Sequence, residues 1–353
     1  MLSSCLPALS PSNLFRSFSK MSPLSSSSSS TPVDLLILGA GWTSSFLIPH
    51  LQTVHPSISF ASTTRDGRNS SIKWEFNPDS NDPAHYDSLP AAKTVLISFP
   101  IKGEGGSRNL VEGYEKSKGG KRARWIQLGS TGIWDGGPTL IGSQIQSSKE
   151  SSSGGPPSYS TTSFEWTDRH SPYDKTNARA IAEDELLSMH NETFVLNLSG
   201  LWGGERDPSN WISRIASSKA ALEVKGSLHL IHGLDVSRAI LAVHLHPSLP
   251  SSSSSSTETK EKTKLQGQRY LLTDLRVIDW WDLASRYPST AASSKGVEET
   301  PQVFIWVHEL MREHGIRGLP RSAQELGRAL DSREFWTTFG LMPVKGCYEK
   351  GRL

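Results

Sequence analysis

Residues 33–47 read Val33-Asp-Leu-Leu-Ile-Leu-Gly39-Ala-Gly41-Trp-Thr-Ser-Ser-Phe-Leu47. The run before Gly39 is short and aliphatic, which is typical of a strand buried on both faces. Two glycines follow, and apolar residues then recur at helical spacing as far as Val54. The stretch therefore predicts a strand, a glycine turn and a helix, and this unit decides how the rest of the chain is interpreted.

The glycine turn has the features of a dinucleotide site. Gly39 permits a tight turn, and Gly41 lets the backbone approach a pyrophosphate. The helix that begins at Trp42 and Thr43 offers free N–H groups and the positive end of its dipole to that anion. The third glycine of the Gly-x-Gly-x-x-Gly pattern is replaced by Ser44, which is small enough to keep helix and strand close. A buried strand, turn and helix without a nucleotide is the alternative.

The composition excludes several classes of protein. The 353 residues include 37 basic and 35 acidic side chains, a formal net charge of +2, so neither a nucleic acid nor an acidic membrane is expected as a partner. Cys5 and Cys347 cannot make a disulfide scaffold, and a reducing compartment fits best. No apolar run approaches a membrane span. His244 and His246 have no neighbouring ligands in sequence, so no metal site is expected.

The chain divides into three parts by composition. Residues 1–32 are rich in serine and contain no acidic residue, which predicts a disordered leader. Such a leader fits either a cytoplasmic protein or a mitochondrial transit peptide. Residues 33–240 are predicted to form a nucleotide-binding core with a low-complexity insertion at about 143–163. Residues 241–353 form a substrate-side region with a low-complexity loop at about 250–264. The sequence does not indicate an oligomeric state.

Strands and helices are predicted to alternate along the core. This pattern favours an α/β fold, a doubly wound parallel sheet of the Rossmann type with a smaller C-terminal α/β part. A helix is expected to start at Ser171 and run to about residue 190, with Arg179 and Glu183 one turn apart. The other expected strands span residues 57–64, 71–76, 93–99, 124–128, 193–198, 228–233 and 269–273, and further helices lie at about 108–118, from 234, at 278–287 and at 303–313.

The residues at the end of the second strand indicate which cofactor is preferred. Thr64 and Arg65 stand where a Rossmann unit reads the adenosine ribose, and a guanidinium suits a 2′-phosphate. These residues favour NADP(H). Asp66 leaves NAD(H) open, because a carboxylate there would bind the ribose hydroxyl. Ser98 and Phe99 follow the strand at 93–99, and they are expected at the carboxyl edge where ligands of such sheets bind.

Four blocks, in order, resemble the extended or atypical branch of the short-chain dehydrogenase/reductase superfamily, nearest to its bacterial YeeZ-like group of NAD(P)-binding, epimerase-like proteins. They are Gly39-Ala-Gly-Trp42, Gly129-Ser-Thr-Gly-Ile-Trp134-Asp-Gly, Leu198-Ser-Gly-Leu-Trp-Gly-Gly and His232-Gly-Leu-Asp235-Val-Ser-Arg238-Ala. The resemblance covers about residues 33–290. It implies a Rossmann fold and an NAD(P) cofactor, with His232 at the sheet edge and Asp235 capping the next helix.

The resemblance also implies catalytic candidates. In the superfamily a Tyr-x-x-x-Lys pair transfers the proton and a serine orients the carbonyl. Ser130 or Thr131 matches the serine by position, and Tyr173 matches the tyrosine. The residue four places after Tyr173 is Asn177, and Lys175 is only two places on, so the pair is not intact. The YeeZ-like group generally lacks it as well.

The sequence is compatible with three functions. The first is an NADP(H)-dependent oxidoreductase that acts on a small carbonyl, aldehyde or alcohol, with Ser130, Thr131 and Tyr173 as candidate catalytic residues. The second is a non-catalytic dinucleotide-binding sensor or partner-binding module, which the broken Tyr-x-x-x-Lys pair supports. The third is a sugar-nucleotide epimerase, for which Arg206 and Arg214 are available to bind substrate phosphates.

Overall fold

The computed structural model describes residues 31–135, 165–189, 192–247, 267–287 and 301–346. The predicted leader up to residue 30 lies outside these ranges. So do the two low-complexity segments predicted at about 143–163 and 250–264.

Strands and helices alternate through the amino-terminal two thirds of the chain, as the sequence predicts. The strands are β1 (Val33–Leu38), β2 (Phe60–Thr64), β3 (Ile72–Lys73), β4 (Ala92–Ile97), β5 (Arg124–Ser130), β6 (Thr193–Leu198), β7 (Gly200–Trp202), β8 (Ser227–Leu228), β9 (Leu230–His232), β10 (Gln268–Leu272) and β11 (Ile278–Asp279). The helices are α1 (Ser44–Val54), α2 (Gly106–Ser117), α3 (Ala178–Met189), α4 (Ile212–Ile215), α5 (Lys219–Glu223), α6 (Gly233–Leu245), α7 (Trp280–Arg286), α8 (Gln302–Glu313) and α9 (Arg333–Thr338).

The centre of the fold is a seven-stranded sheet in which every pairing is parallel, in the order β10-β6-β5-β4-β1-β2-β3. β1 lies between β2 and β4, so the chain runs outward from β1 in both directions. Connections on the two sides leave β1 and β4 towards opposite faces, which opens a crevice beyond their carboxyl ends. The predicted doubly wound parallel sheet is confirmed.

The sheet is buried on both faces because its side chains alternate. Leu35 and Ile37 of β1 face one apolar layer, together with apolar residues of α1, α6 and α9. Leu36 and Leu38 face the other layer, which contains residues of α2 and α3. Residues of both kinds are fully buried, which explains why β1 is a continuous aliphatic run rather than an alternating one.

A smaller part completes the α/β architecture. β8 pairs with β11 in an antiparallel ladder, and β7 pairs with β9 in a parallel one. Helices α4, α5, α7 and α8 share a separate apolar cluster that contains Leu222, Trp281 and Leu310. The predicted division at residue 240 falls inside α6. β10, from the C-terminal side of that division, is one of the two edge strands of the main sheet.

Three sequence predictions are wrong in detail. The helix expected from Ser171 begins at Ala178, because the Asp174 carboxylate closes a local turn by accepting from the N–H of Thr176 at 2.8 Å. The strand expected at 228–233 is two short strands in different sheets. The helix expected from Ile278 starts at Trp280, after β11.

No helix in the described ranges is long and apolar enough to cross a membrane.

Candidate active site at the carboxyl edge of the sheet

The turn after β1 requires glycine at one position and leaves space at another. Gly39 has φ +85°, and a Cβ added there would lie 2.9 Å from the Phe99 ring. Backbone conformation and packing therefore both demand glycine at this position. The nearest atom to a Cβ added at Gly41 would be a carbonyl oxygen 3.9 Å away. The protein's own packing does not need glycine here, so Gly41 leaves room for a ligand to approach the backbone.

Backbone N–H groups at the start of α1 are available to an anion. The N–H of Gly39 donates to Thr63 Oγ1 at 3.0 Å and that of Ala40 to Thr63 O at 2.7 Å, which fixes the turn against β2. Within the described part of the chain, the N–H groups of Trp42 and Thr43 have no acceptor. Unsatisfied donors at a helix N-terminus form an anion site.

The residue in place of the third glycine lies inside the fold. Ser44 is buried, and its hydroxyl has no hydrogen-bond partner among the described residues. A small side chain is therefore tolerated where α1 meets the sheet.

The end of β4 supports the same turn. The Ser98 hydroxyl donates to the carbonyl oxygens of Leu38 and Gly39. Its function in the structure is to join β4 to the end of β1. The Phe99 ring lies beside it at the edge of a cleft. The structure thus brings both predicted residues to the crevice, with Ser98 holding the turn and Phe99 lining the cleft.

A cleft of about 380 Å³ opens beside the turn. Its lining combines the backbone of the turn with guanidinium groups and aromatic rings: Gly39, Ala40, Gly41, Thr63, Thr64, Arg65, Arg68, Trp74, Glu75, Phe76 and Phe99. Sequence reasoning missed Arg68, Trp74, Glu75 and Phe76. They could have been found, because they follow β2 and β3, whose carboxyl ends lie at the same edge of the sheet.

Asp66 does not line this cleft. Its side chain is exposed, lies 3.8 Å from the Arg68 guanidinium and accepts a long bond of 3.4 Å from the Arg68 N–H. A hydrogen bond from Thr64 holds the pKa of Asp66 below its ordinary value. Thr64 Oγ1 also accepts from the N–H of Gly67 at 2.9 Å. Asp66 and Thr64 therefore build the loop that carries Arg65 and Arg68.

Ser130 and Thr131 lie where β5 ends. Ser130 Oγ accepts from the N–H of Gly132 at 3.1 Å and caps the one-turn helix Thr131–Trp134. The Ser130 carbonyl accepts from Asn197 Nδ2 at 3.1 Å. Thr131 is buried at the start of the turn. The Ser130 hydroxyl donates to no acceptor among the described residues.

A buried ion pair lies under this turn. Glu183 accepts from Asn197 Nδ2 at 2.9 Å and from Arg269 Nη2 at 3.1 Å. Burial raises the pKa of Glu183. The expected helical pair of Arg179 with Glu183 is absent from the ion pairs of the described residues, because Glu183 points into the core. Helical spacing could not reveal a partner on β10.

Tyr173 is engaged elsewhere. Its hydroxyl donates to Asp184 Oδ1 at 2.7 Å, and the Arg269 guanidinium lies over its ring, 4.4 Å from the centroid. Burial raises its pKa. Asn177, in the place of the family lysine, caps α3 by accepting from the N–H of Arg179 at 3.0 Å. Lys175 is exposed in the preceding turn.

His232 ends β9, as expected, but it is also the residue that caps α6, the position expected for Asp235. His232 Nδ1 accepts from the N–H of Leu234 at 3.1 Å and so caps α6. Asp235 instead accepts from the N–H groups of Val344 and Lys345 at 2.9 and 3.0 Å, fixing the C-terminal segment to α6. Both residues have structural partners. Among the described residues no group of His, Cys, Asp and Glu could hold a metal ion.

Comparison with known proteins finds solved structures that resemble this one. No family model matches the chain, and no curated protein matches it. Its structure is similar to a proposed NAD-dependent epimerase/dehydratase from Methylobacillus flagellatus, at 14% identity over 90% of this chain and 94% of the other, with a TM-score of 0.49. It is also similar to a short-chain dehydrogenase/reductase superfamily protein from Agrobacterium tumefaciens with bound NAD, at 12% identity over 88% and 92%, TM-score 0.48.

A third similar structure is vestitone reductase from alfalfa, at 14% identity over 90% of this chain and 94% of the other, with a TM-score of 0.45. At this level of identity the likeness concerns the fold alone. The α/β, doubly wound fold itself follows from the parallel sheet of the structure.

Proposed function

We propose that the chain binds NADP(H) in the crevice between β1 and β4. The free N–H groups of Trp42 and Thr43 would hold the pyrophosphate, beside the open backbone at Gly41. Trp74 and Phe99 border the adjoining cleft and offer apolar contact to an adenine ring. Two N–H donors without a protein acceptor beside an open cleft favour this proposal over the alternative noted from sequence, a strand and helix without a nucleotide.

The observation that carries the NADP(H) preference is the pair of guanidinium groups in the cleft. Arg65 and Arg68 both line it, while Asp66 does not. Arginine is a permanent cation whose fork of N–H groups matches a phosphate, so the 2′-phosphate of NADP(H) has two partners here. Glu75, which also borders the cleft, is the acceptor that an NAD(H) ribose hydroxyl would use.

We further propose that the protein is an oxidoreductase acting on a small carbonyl, aldehyde or alcohol. The bound nicotinamide would supply or accept the hydride. Ser130 Oγ accepts from Gly132 and keeps its own proton to donate to a substrate oxygen. Thr131 supports the turn that presents this hydroxyl. Asn197 and Glu183 hold the end of β5 from below.

One observation favours a second candidate, a dinucleotide-binding protein without catalysis. The Tyr173 proton is donated to Asp184, and α3 begins after this residue instead of presenting it. The usual proton donor of the superfamily therefore has no counterpart at the position that the sequence suggests. A sensor needs only the binding half of the site.

The test begins with a fluorescence titration of the full chain with NADPH, NADH and their oxidised forms. Tight binding of NADPH over NADH supports the proposal, and binding of neither overturns it. A panel of small aldehydes and ketones is then added with NADPH, and the oxidation of NADPH is followed by absorbance. Turnover that falls at least tenfold in Ser130→Ala, about 1.4 kcal/mol of barrier, supports the oxidoreductase. Binding without turnover supports the sensor.

A further inference from the structure

The loop after β7 contacts the start of α1 from the other side of the crevice. Trp42 Nε1 donates to the carbonyl oxygen of Gly203 at 3.1 Å, across 161 positions of sequence. Gly203 and Arg206 exchange two backbone hydrogen bonds, N to O, at 2.9 and 3.1 Å. The loop is thus a closed turn with a fixed attachment to the residue that follows Gly41.

Arg206 extends from this turn over the Trp42 ring. Its guanidinium carbon lies 4.5 Å from the ring centroid, which is a cation–π contact. The side chain is exposed, and within the described residues no carboxylate pairs with it, the neighbouring Glu205 included. The stacking holds the guanidinium in one place while its N–H donors stay available.

Trp42 also links this cation to the free donors of α1. The ring belongs to the same residue whose backbone N–H has no acceptor, and the next N–H, that of Thr43, has none either. Arg65 and Arg68 line the cleft just beyond the end of β2, where a Rossmann unit reads the ribose.

We infer that Arg206 binds the pyrophosphate of the dinucleotide, held against α1 by stacking on Trp42. This inference rests on the proposed binding of NADP(H) and assigns a residue from outside the glycine turn to it. An arginine that bridges the loop after β7 to the pyrophosphate also ties the substrate-side part of the chain to the occupied cofactor site.

The test compares NADPH with 2′-AMP, which carries the 2′-phosphate but lacks the pyrophosphate. In Arg206→Ala the Kd for NADPH is expected to rise about tenfold, as for one lost charge-assisted contact. The Kd for 2′-AMP is expected to stay unchanged. Arg206→Lys, which keeps the charge but not the planar stacked fork, is expected to lie between. Arg312→Ala, at an exposed arginine of α8, is the matched control and should change neither Kd.

Salt dependence provides a readout that a loss of stability would not move. The rise of log Kd for NADPH with log salt should be shallower in Arg206→Ala than in the unmodified protein, because one cation fewer meets the phosphates. Equal NADPH affinity and equal slope in both proteins would overturn the inference and leave NADP(H) binding intact. Equal loss of 2′-AMP affinity would also overturn it. No binding of NADPH by the unmodified protein would overturn the proposed function first, and this inference with it.

Discussion

The Tyr173 hydroxyl donates its proton to Asp184, 2.7 Å away, while Arg269 covers the face of the same ring. The carboxylate and the burial both raise the cost of removing that proton. A tyrosine in this position stabilises the packing of α3 against β10, and its hydroxyl does not lie among the groups that line the cleft.

Tyr173→Phe is therefore expected to lower stability without altering the site. The loss of one partly buried hydrogen bond should cost about 0.5–1.5 kcal/mol in the free energy of unfolding. Thermal unfolding, the NADPH titration and turnover of the best carbonyl substrate measure the three quantities. Loss of turnover by about a hundredfold with normal NADPH binding would instead make Tyr173 the general acid.

Substitutions at the two glycines of the turn are expected to have different effects, on stability at Gly39 and on cofactor binding at Gly41. Gly39→Ala forces a side chain into a positive φ and against Phe99, and should destabilise the fold by about 1–3 kcal/mol. The methyl group added in Gly41→Ala contacts no protein atom closely, so the free energy of unfolding of this variant should stay within about 0.5 kcal/mol of that of the unmodified protein. Its Kd for NADPH should rise at least tenfold, because the new methyl group occupies the approach to the backbone. Denaturant unfolding and fluorescence titration of both variants check this, and normal NADPH binding by Gly41→Ala would contradict it.

Cofactor preference is expected to depend on Arg65 and not on Asp66. Arg65→Ala should raise the Kd for NADPH about tenfold and leave the Kd for NADH unchanged, since only NADPH carries the 2′-phosphate. Asp66→Asn is the matched control on the next residue, and both constants should stay the same. Selective loss of NADH binding in Asp66→Asn would show that this carboxylate reads the ribose and that NAD(H) is the cofactor.

Asp274 is expected to make stability depend on pH. It lies just beyond β10, and burial raises its pKa to about 7, with Asp235 raising it further and Arg276 lowering it. In the unfolded chain an aspartic acid loses its proton near pH 4. The stabilising effect of the protonated form is therefore complete below about pH 4 and is lost as the pH rises through about 7.

Asp274→Asn removes this dependence. As the pH rises from about 4 to about 7, the free energy of unfolding of the variant should increasingly exceed that of the unmodified protein. The full difference should be roughly 1.4 kcal/mol for each unit of pKa shift. Denaturant unfolding at pH 5 and at pH 8 measures the gain. Asp79→Asn, at an exposed site, should show none. A difference in stability that is equal at both pH values would contradict the assignment.

Local patterns predicted the sheet because each strand, turn and helix of the core is encoded by adjacent residues. The run from Val33 to Leu47 contains its own strand, its turn and the start of its helix. The helix start predicted at Ser171 was wrong because it also rested on a local pattern, that of a helix cap. The Tyr173 ring is held by Trp134 and Arg269, which are distant in sequence. Contacts between such residues have no periodicity from which a sequence could predict them.

The candidate site divides in the same way. Gly39, Gly41 and Arg65 were found because their positions follow from a strand that ends at a glycine turn or at a ribose-reading position. The stacking of Arg206 on Trp42 was not found, although both residues were noted separately. Only the folded chain brings the loop after β7 to the start of α1.

The place of β10 in the sheet has a consequence for biosynthesis. This strand emerges from the ribosome last of the seven, yet it pairs with β6 from Phe194 to Leu198. Until it arrives, β6 has an open edge of unpaired N–H and C=O groups, which invites pairing with strands of other molecules. The neighbours of β1 are complete long before, so the side of the sheet with the proposed nucleotide site assembles first in a growing chain. The edge that is vulnerable for longest is the one farthest from the glycine turn.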